Sequence, residues 1–156
     1  MTVPTILLLG DSLTGGYATE LGRLLVAAGV KVRLLLAFRN GAHISEVAAE
    51  LTRKETGYLA RFGVPTIAVV CVGTNDLAGQ TGANVPDLLS QWQGLIASLT
   101  ARGARVVACT IPPTSLPGSP GVVPFNAGVR AWVSGHAARV RLADVGAVVP
   151  VAELGA

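Results

Sequence analysis

Three residues of this chain have the types and placement that acyl-transfer chemistry needs. Ser12 follows Gly10 and Asp11 where the apolar run Ile6–Leu9 gives way to a helical pattern. A serine on a tight strand-to-helix turn holds its hydroxyl above the sheet, and the helix N-terminus behind it favours negative charge. Its own backbone N–H then faces a developing oxyanion. Gly41 lies just past a second apolar run, and without a Cβ it lets another N–H approach closely. Asn75 lies just past a third and carries a side-chain amide donor. Three donors converging on one point make an oxyanion hole for a tetrahedral intermediate. The plainer readings are a helix cap for Ser12 and a turn residue for Asn75.

A serine nucleophile also needs a base. The chain has two histidines, His43 and His136. His43 sits in Asn40-Gly41-Ala42-His43, in the loop that carries the glycine, with Asn40 spaced to hold its ring tautomer. The plainer reading is an exposed loop residue or lining of a substrate groove. His136 falls on an apolar stripe with Trp132 and Val129 and is expected at the opposite end of the sheet, in a structural role. Asp76 is expected to cap a helix or loop rather than to act as an acid.

The elements that must position these residues alternate in type. Thr5–Gly10 reads as a strand. It is followed by a helix with Tyr17, Leu21, Leu24, Leu25 and Ala28 on one stripe, ended by Gly29. Val30–Phe38 is a second strand, and Ser45 is placed to cap a helix that turns Val47, Ala48 and Leu51 inward. Pro65 introduces a third strand, Thr66–Val72. Asn84, with Asp87 three residues on, resembles a capping box for a helix running from Val85 to Leu99 and ended by Gly103. Arg105–Ile111 is a fourth strand, and Pro112–Pro120 a loop. Phe125, Val129, Trp132 and Val133 mark a last helix, and Val140–Ala143 a fifth strand. Continuous apolar strands separated by helices predict a parallel sheet covered on both faces, a doubly wound α/β sandwich. Ligands in such sheets sit outside the carboxyl ends of the strands, which is where Ser12, Gly41 and Asn75 fall.

Composition narrows the classes. A chain of 156 residues with 51% hydrophobic and 13% charged residues reads as one folded domain, residues 1–156, and not as a disordered tail or coiled coil. No apolar run approaches the roughly 18 residues needed to span a bilayer. The opening residues have no basic region or small-residue cleavage site, so a cytoplasmic location is expected. The net charge of +3 is carried by scattered arginines among few aromatics, without a nucleic-acid footprint. Cys71 and Cys109 lie in apolar runs and are expected to be buried free thiols, and no metal-ligand cluster is expected.

With these residues in place, the chain resembles the SGNH, or GDSL-type, hydrolases. Its "GDSLTGGY" is similar to their first block, Gly41 to the lone glycine of the second, and "GTND" (Gly73–Asp76) to the third. The resemblance implies a flavodoxin-like three-layer sandwich with a five-stranded parallel sheet ordered 2-1-3-4-5. It implies hydrolysis of carboxylic esters or thioesters through an acyl-serine, on a small-molecule ester substrate and without cofactor. Carried over, Ser12 is the nucleophile, while Ser12 N–H, Gly41 N–H and the Asn75 side chain form the oxyanion hole. The family's fourth block, an Asp-x-x-His after strand five that supplies the base, has no counterpart: no histidine follows His136, and Asp144 reads as the residue that ends strand five. The expectation is therefore a weak esterase whose base is His43 or comes from outside this chain. The alternative is a degraded domain that binds an acyl or carbohydrate ligand or a protein partner. The short tail also predicts an apolar flank beside strand five, suited to a homodimer or a docking partner.

Overall fold

The structure, a computed structural model, describes residues 3–78, 83–112 and 120–148. Five strands, β1 (Thr5–Gly10), β2 (Arg33–Phe38), β3 (Ile67–Cys71), β4 (Arg105–Cys109) and β5 (Val140–Ala143), form one sheet in the order β2-β1-β3-β4-β5. Every pairing is parallel. The 2-1-3-4-5 sandwich expected from the sequence is the observed fold. The register lines up Gly10 with Phe38 on one side and with Cys71 on the other, so the loops carrying Ser12, Gly41 and Asn75 leave the sheet along one edge.

Side chains alternate across the strands, and the two faces are filled unequally. Leu7, Leu9, Val70 and Ala108 face a large core with α2 (Ile44–Thr52), α5 (Val85–Thr100) and α6 (Val122–Ser134), in which Trp92 and Phe125 are fully buried. Ile6 and Leu8 face a small cluster under α1 (Ser12–Ala27), where Ala18 is buried and Tyr17, Leu21 and Leu25 pack around it. Beside α1 an apolar groove of about 810 Å³ runs over β3–β5, lined by Tyr17, Leu21, Val69, Val107, Ala143 and Ser12. Of the stripe expected to be buried on α1, Leu24 is 51% exposed on the wall of this groove and Ala28 is exposed as well.

Several boundaries differ from the expected ones for local reasons. β2 starts at Arg33 and not at Val30, because Val30 N–H donates to Leu25 O and Gly29 N–H to Val26 O, with Gly29 at φ +68°. These bonds cap α1 and delay the strand. β3 is Ile67–Cys71, a residue shorter at each end than Thr66–Val72. β4 stops at Cys109 because the Asn126 side chain takes over both backbone groups of Ile111, accepting from its N–H at 2.9 Å and donating to its C=O at 2.7 Å. Ser45 does not cap α2, which begins at Ile44 with His43 as its N-cap. Asn84 does cap α5, its side chain accepting from Asp87 N–H at 3.3 Å. Three short helices add to the expected set: α3 (Tyr58–Phe62), α4 (Thr74–Leu77) and α7 (Val145–Val148). Most of the expected Pro112–Pro120 loop, and the tail from 149 on, lie outside the described residues. Among the described residues no helix is long and apolar enough to cross a membrane.

Candidate active site

The turn after β1 is bolted to the end of β3. Asp11 N–H and Thr14 Oγ1 both donate to Cys71 O, each at 3.3 Å. The approach is so close that a Cβ on Gly10 would lie 1.9 Å from that oxygen, which is why no larger residue fits there. Gly15 is required to be small for a similar reason, since its Cβ would meet the Phe38 ring at 2.7 Å. Asp11 is the N-cap of α1, accepting from Leu13 N–H at 3.0 Å, and Ser12 follows it as an exposed first helical residue. The Asp11 carboxylate is fully buried, and its second oxygen accepts no hydrogen bond. Burial raises its pKa above the ordinary 3.8, and the Leu13 N–H bond, with the nearby Thr74 N–H and hydroxyl dipoles beyond hydrogen-bond geometry, offsets part of that rise. Thr74 therefore stands beside Asp11, which puts the start of α4 next to the serine turn.

The second and third loops meet each other. Arg39, Asn40, Gly41 and Ala42 make a turn closed by Ala42 N–H to Arg39 O at 3.2 Å, with Gly41 at φ +75°. Glycine takes this conformation without strain, and nothing stands within 4 Å of where its Cβ would be. Asn75 reaches across from α4, and its Nδ2 donates to Ala42 O at 3.0 Å. One amide hydrogen of Asn75 is thus spent on holding it beside Gly41, and the other makes no hydrogen bond among the described residues. Asp76 is 7% exposed and accepts from Ile44 N–H at 3.1 Å, in the capping part expected of it.

Neither histidine meets the serine. Among the described residues the Ser12 hydroxyl makes no hydrogen bond to an imidazole. His43 opens α2, on the face of the sheet opposite α1, and its Nδ1 lies 3.3 Å from Asp76 Oδ1. Asn40 was expected to orient that ring, and the structure gives the position to Asp76. A carboxylate on a helix packed behind the loop offers a stronger acceptor than a neighbouring amide. His136 lies beyond α6, stacked on Trp132 at 3.7 Å with its Nδ1 2.7 Å from Trp132 O, at the amino edge of the sheet as expected. Asp144 closes β5 in a bidentate pair with Arg130 (2.8 and 2.7 Å) and accepts from the Thr110 hydroxyl at 2.9 Å. The Arg130 guanidinium holds its carboxyl below the usual carboxylate range. Cys71 and Cys109 are buried free thiols at the ends of β3 and β4. No group of three or more metal-ligating side chains occurs among the described residues.

A serine turn, a glycine turn and an asparagine thus lie at the carboxyl edge of a 2-1-3-4-5 parallel α/β sheet. The model of the GDSL-like lipase/acylhydrolase family matches residues 8–154, and the chain belongs to that family of carboxylic ester hydrolases. No curated protein matches its sequence. Its fold is similar to that of a lipase/acylhydrolase from Enterococcus faecalis (19% identity, 95% of this chain and 80% of that one, TM-score 0.76). It is also similar to TesA (22%, 88% and 76%, 0.73) and to a psychrotrophic esterase, EstA, from Pseudoalteromonas sp. (21%, 89% and 76%, 0.69).

Proposed function

We propose that the chain cleaves carboxylic esters or thioesters of a small-molecule substrate through an acyl-serine on Ser12. The observation that carries this reading is the Asn75 bond to Ala42 O, which keeps a free amide hydrogen beside the Gly41 turn. In the reaction, Ser12 Oγ attacks the ester carbonyl carbon and its proton passes to a base. Negative charge gathers on the carbonyl oxygen, where Ser12 N–H, Gly41 N–H and Asn75 Nδ2 donate to it and the N-terminus of α1 adds a favourable field. The alcohol or thiol then leaves with a proton, and water releases the acid.

The base is the unfilled part. His43 is held by Asp76 over the opposite face of the sheet, so the chain by itself is a slow esterase whose base is water or a group supplied from outside the described residues. The second reading, a domain that binds an acyl or carbohydrate ligand or a protein without turning it over, is favoured by the same separation of Ser12 from both imidazoles. The groove beside α1 is the surface on which a homodimer or docking partner would form, and light scattering of the purified chain reads its oligomeric state.

A phosphonate probe separates the two readings, because it needs the nucleophile and the oxyanion hole but no deacylation. EstA is described as inhibited by monoethylphosphonate. Incubation of this chain with an activated ethylphosphonate should place one adduct on the peptide containing Ser12, and none on the Ser12→Ala variant. Tight ligand binding with no adduct would support the binding domain instead.

A further inference from the structure

We propose that Asp76 is a positioning residue for the oxyanion hole, acting as the clamp that fixes the Gly41 turn against Asn75. The inference rests on the reading of Gly41 and Asn75 as oxyanion donors. It follows from three contacts between two segments more than thirty residues apart in sequence. Asn75 Nδ2 donates to Ala42 O at 3.0 Å, Ile44 N–H donates to Asp76 Oδ2 at 3.1 Å, and His43 Nδ1 stands 3.3 Å from Asp76 Oδ1. Successive residues of α4 thus grip successive residues of the loop, with Gly41 at its free end.

The clamp has a job because packing does not hold Gly41 itself. Gly41 touches nothing within 4 Å of its Cβ direction, although Ala42 and Ile44 after it are buried in the large core. The other bonds near the turn are Arg39 N–H to Gly10 O at 3.2 Å, Ala42 N–H to Arg39 O, Val47 N–H to His43 O, the exposed Arg39–Glu46 ion pair and His43 N–H to Glu46 at 2.9 Å. Exposed pairs of that kind contribute little. Asp76, by contrast, is almost wholly buried, and both of its oxygens are committed to the loop. A hydrogen-bond donor aids catalysis only when it is already in place as the charge develops, so a loose Gly41 turn would lose its effect on the transition state while leaving substrate binding alone. The same carboxylate gives His43 a structural employment as the loop's outer anchor.

The test compares wild type with Asp76→Ala and Asp76→Asn. Asparagine keeps an oxygen for Ile44 N–H and an amide for His43 Nδ1. Expected in Asp76→Ala are a fall on the order of 10-fold in kcat, or in the rate of Ser12 phosphonylation, with KM unchanged. Faster amide hydrogen exchange in residues 39–47 should accompany it, and Asp76→Asn should restore both. Should Asp76→Ala fail to fold, Asp76→Ser, too short to reach both partners, takes its place. Unchanged exchange in residues 39–47, or a rate loss that Asp76→Asn does not recover, would overturn the clamp. Phosphonylation that persists in Ser12→Ala would instead remove the nucleophile reading, and the exchange experiment would still decide whether Asp76 holds the loop.

Discussion

The carboxyl edge of the sheet has two ends, and they differ in what their side chains are free to do. At the β2-β1-β3 end the backbone is tied down and the functional groups are left open. Cys71 O fastens the serine turn, Asn75 and Asp76 fasten the glycine turn, and Ser12 and one amide hydrogen of Asn75 remain unspent. At the β4-β5 end the polar groups are consumed by one another. Asp144 is taken by Arg130 and Thr110, Asn126 by Ile111, and Gly146 N–H by the Thr110 hydroxyl at 2.8 Å. On the function proposed above, the first end stabilises an oxyanion, while the described polar groups of the second hold the sheet together. By the same reading, the step left without a residue among the described ones is proton transfer, not charge stabilisation.

The largest effect that would sharpen this contrast is at the nucleophile. Ser12→Ala should lower ester turnover by about 10³-fold or to background, since no other exposed hydroxyl shares its turn. Turnover that survives the substitution would erase the distinction between the two ends. Asn75→Ala comes next, at about 10²-fold in kcat with KM little changed, because the donor acts on the transition state. An equal rise in KM would mean that Asn75 binds substrate uniformly.

How much of this was legible in the sequence also divides along the edge. The serine turn could be read because its parts are adjacent: an apolar strand, a glycine, a capping acid and a helix follow one another in Ile6–Gly16. The α5 cap was legible for the same reason, while the strand order came from the family resemblance and not from any local spacing. The contacts of Asp76 with His43 and Ile44, of Asn126 with Ile111 and of Arg130 with Asp144 join residues 14 to 33 positions apart, and no local spacing announces them. Asn40 beside His43 looked like a partner because neighbours in sequence are all that a motif reveals. α4 escaped notice because four residues are too short for a periodic signal.

The smallest expected effect concerns Asp11. Its pKa is raised in the folded state by burial, so the folded protein keeps a proton that the unfolded chain gives up. Unfolding free energy therefore falls as pH rises from about 3.8 through the folded pKa, and the cost is fully present above that folded pKa. Asp11→Asn still caps α1 and carries no charge, so it should lack this component. Thermal melts of both proteins between about pH 3.5 and 7 should show wild type losing ground to Asp11→Asn as pH rises. Parallel profiles would show that the carboxylate is not penalised.

The separation of Ser12 from any imidazole is tested most directly by p-nitrophenyl acetate turnover of the purified chain beside Ser12→Ala and His43→Ala. The expected result is a slow wild-type rate that Ser12→Ala removes. His43→Ala should change that rate by no more than about threefold, the size of an exposed contact worth ~0.5 kcal/mol. A fast wild-type rate abolished by both substitutions would contradict it, making His43 the working base and the β2-β1-β3 end a complete catalytic site.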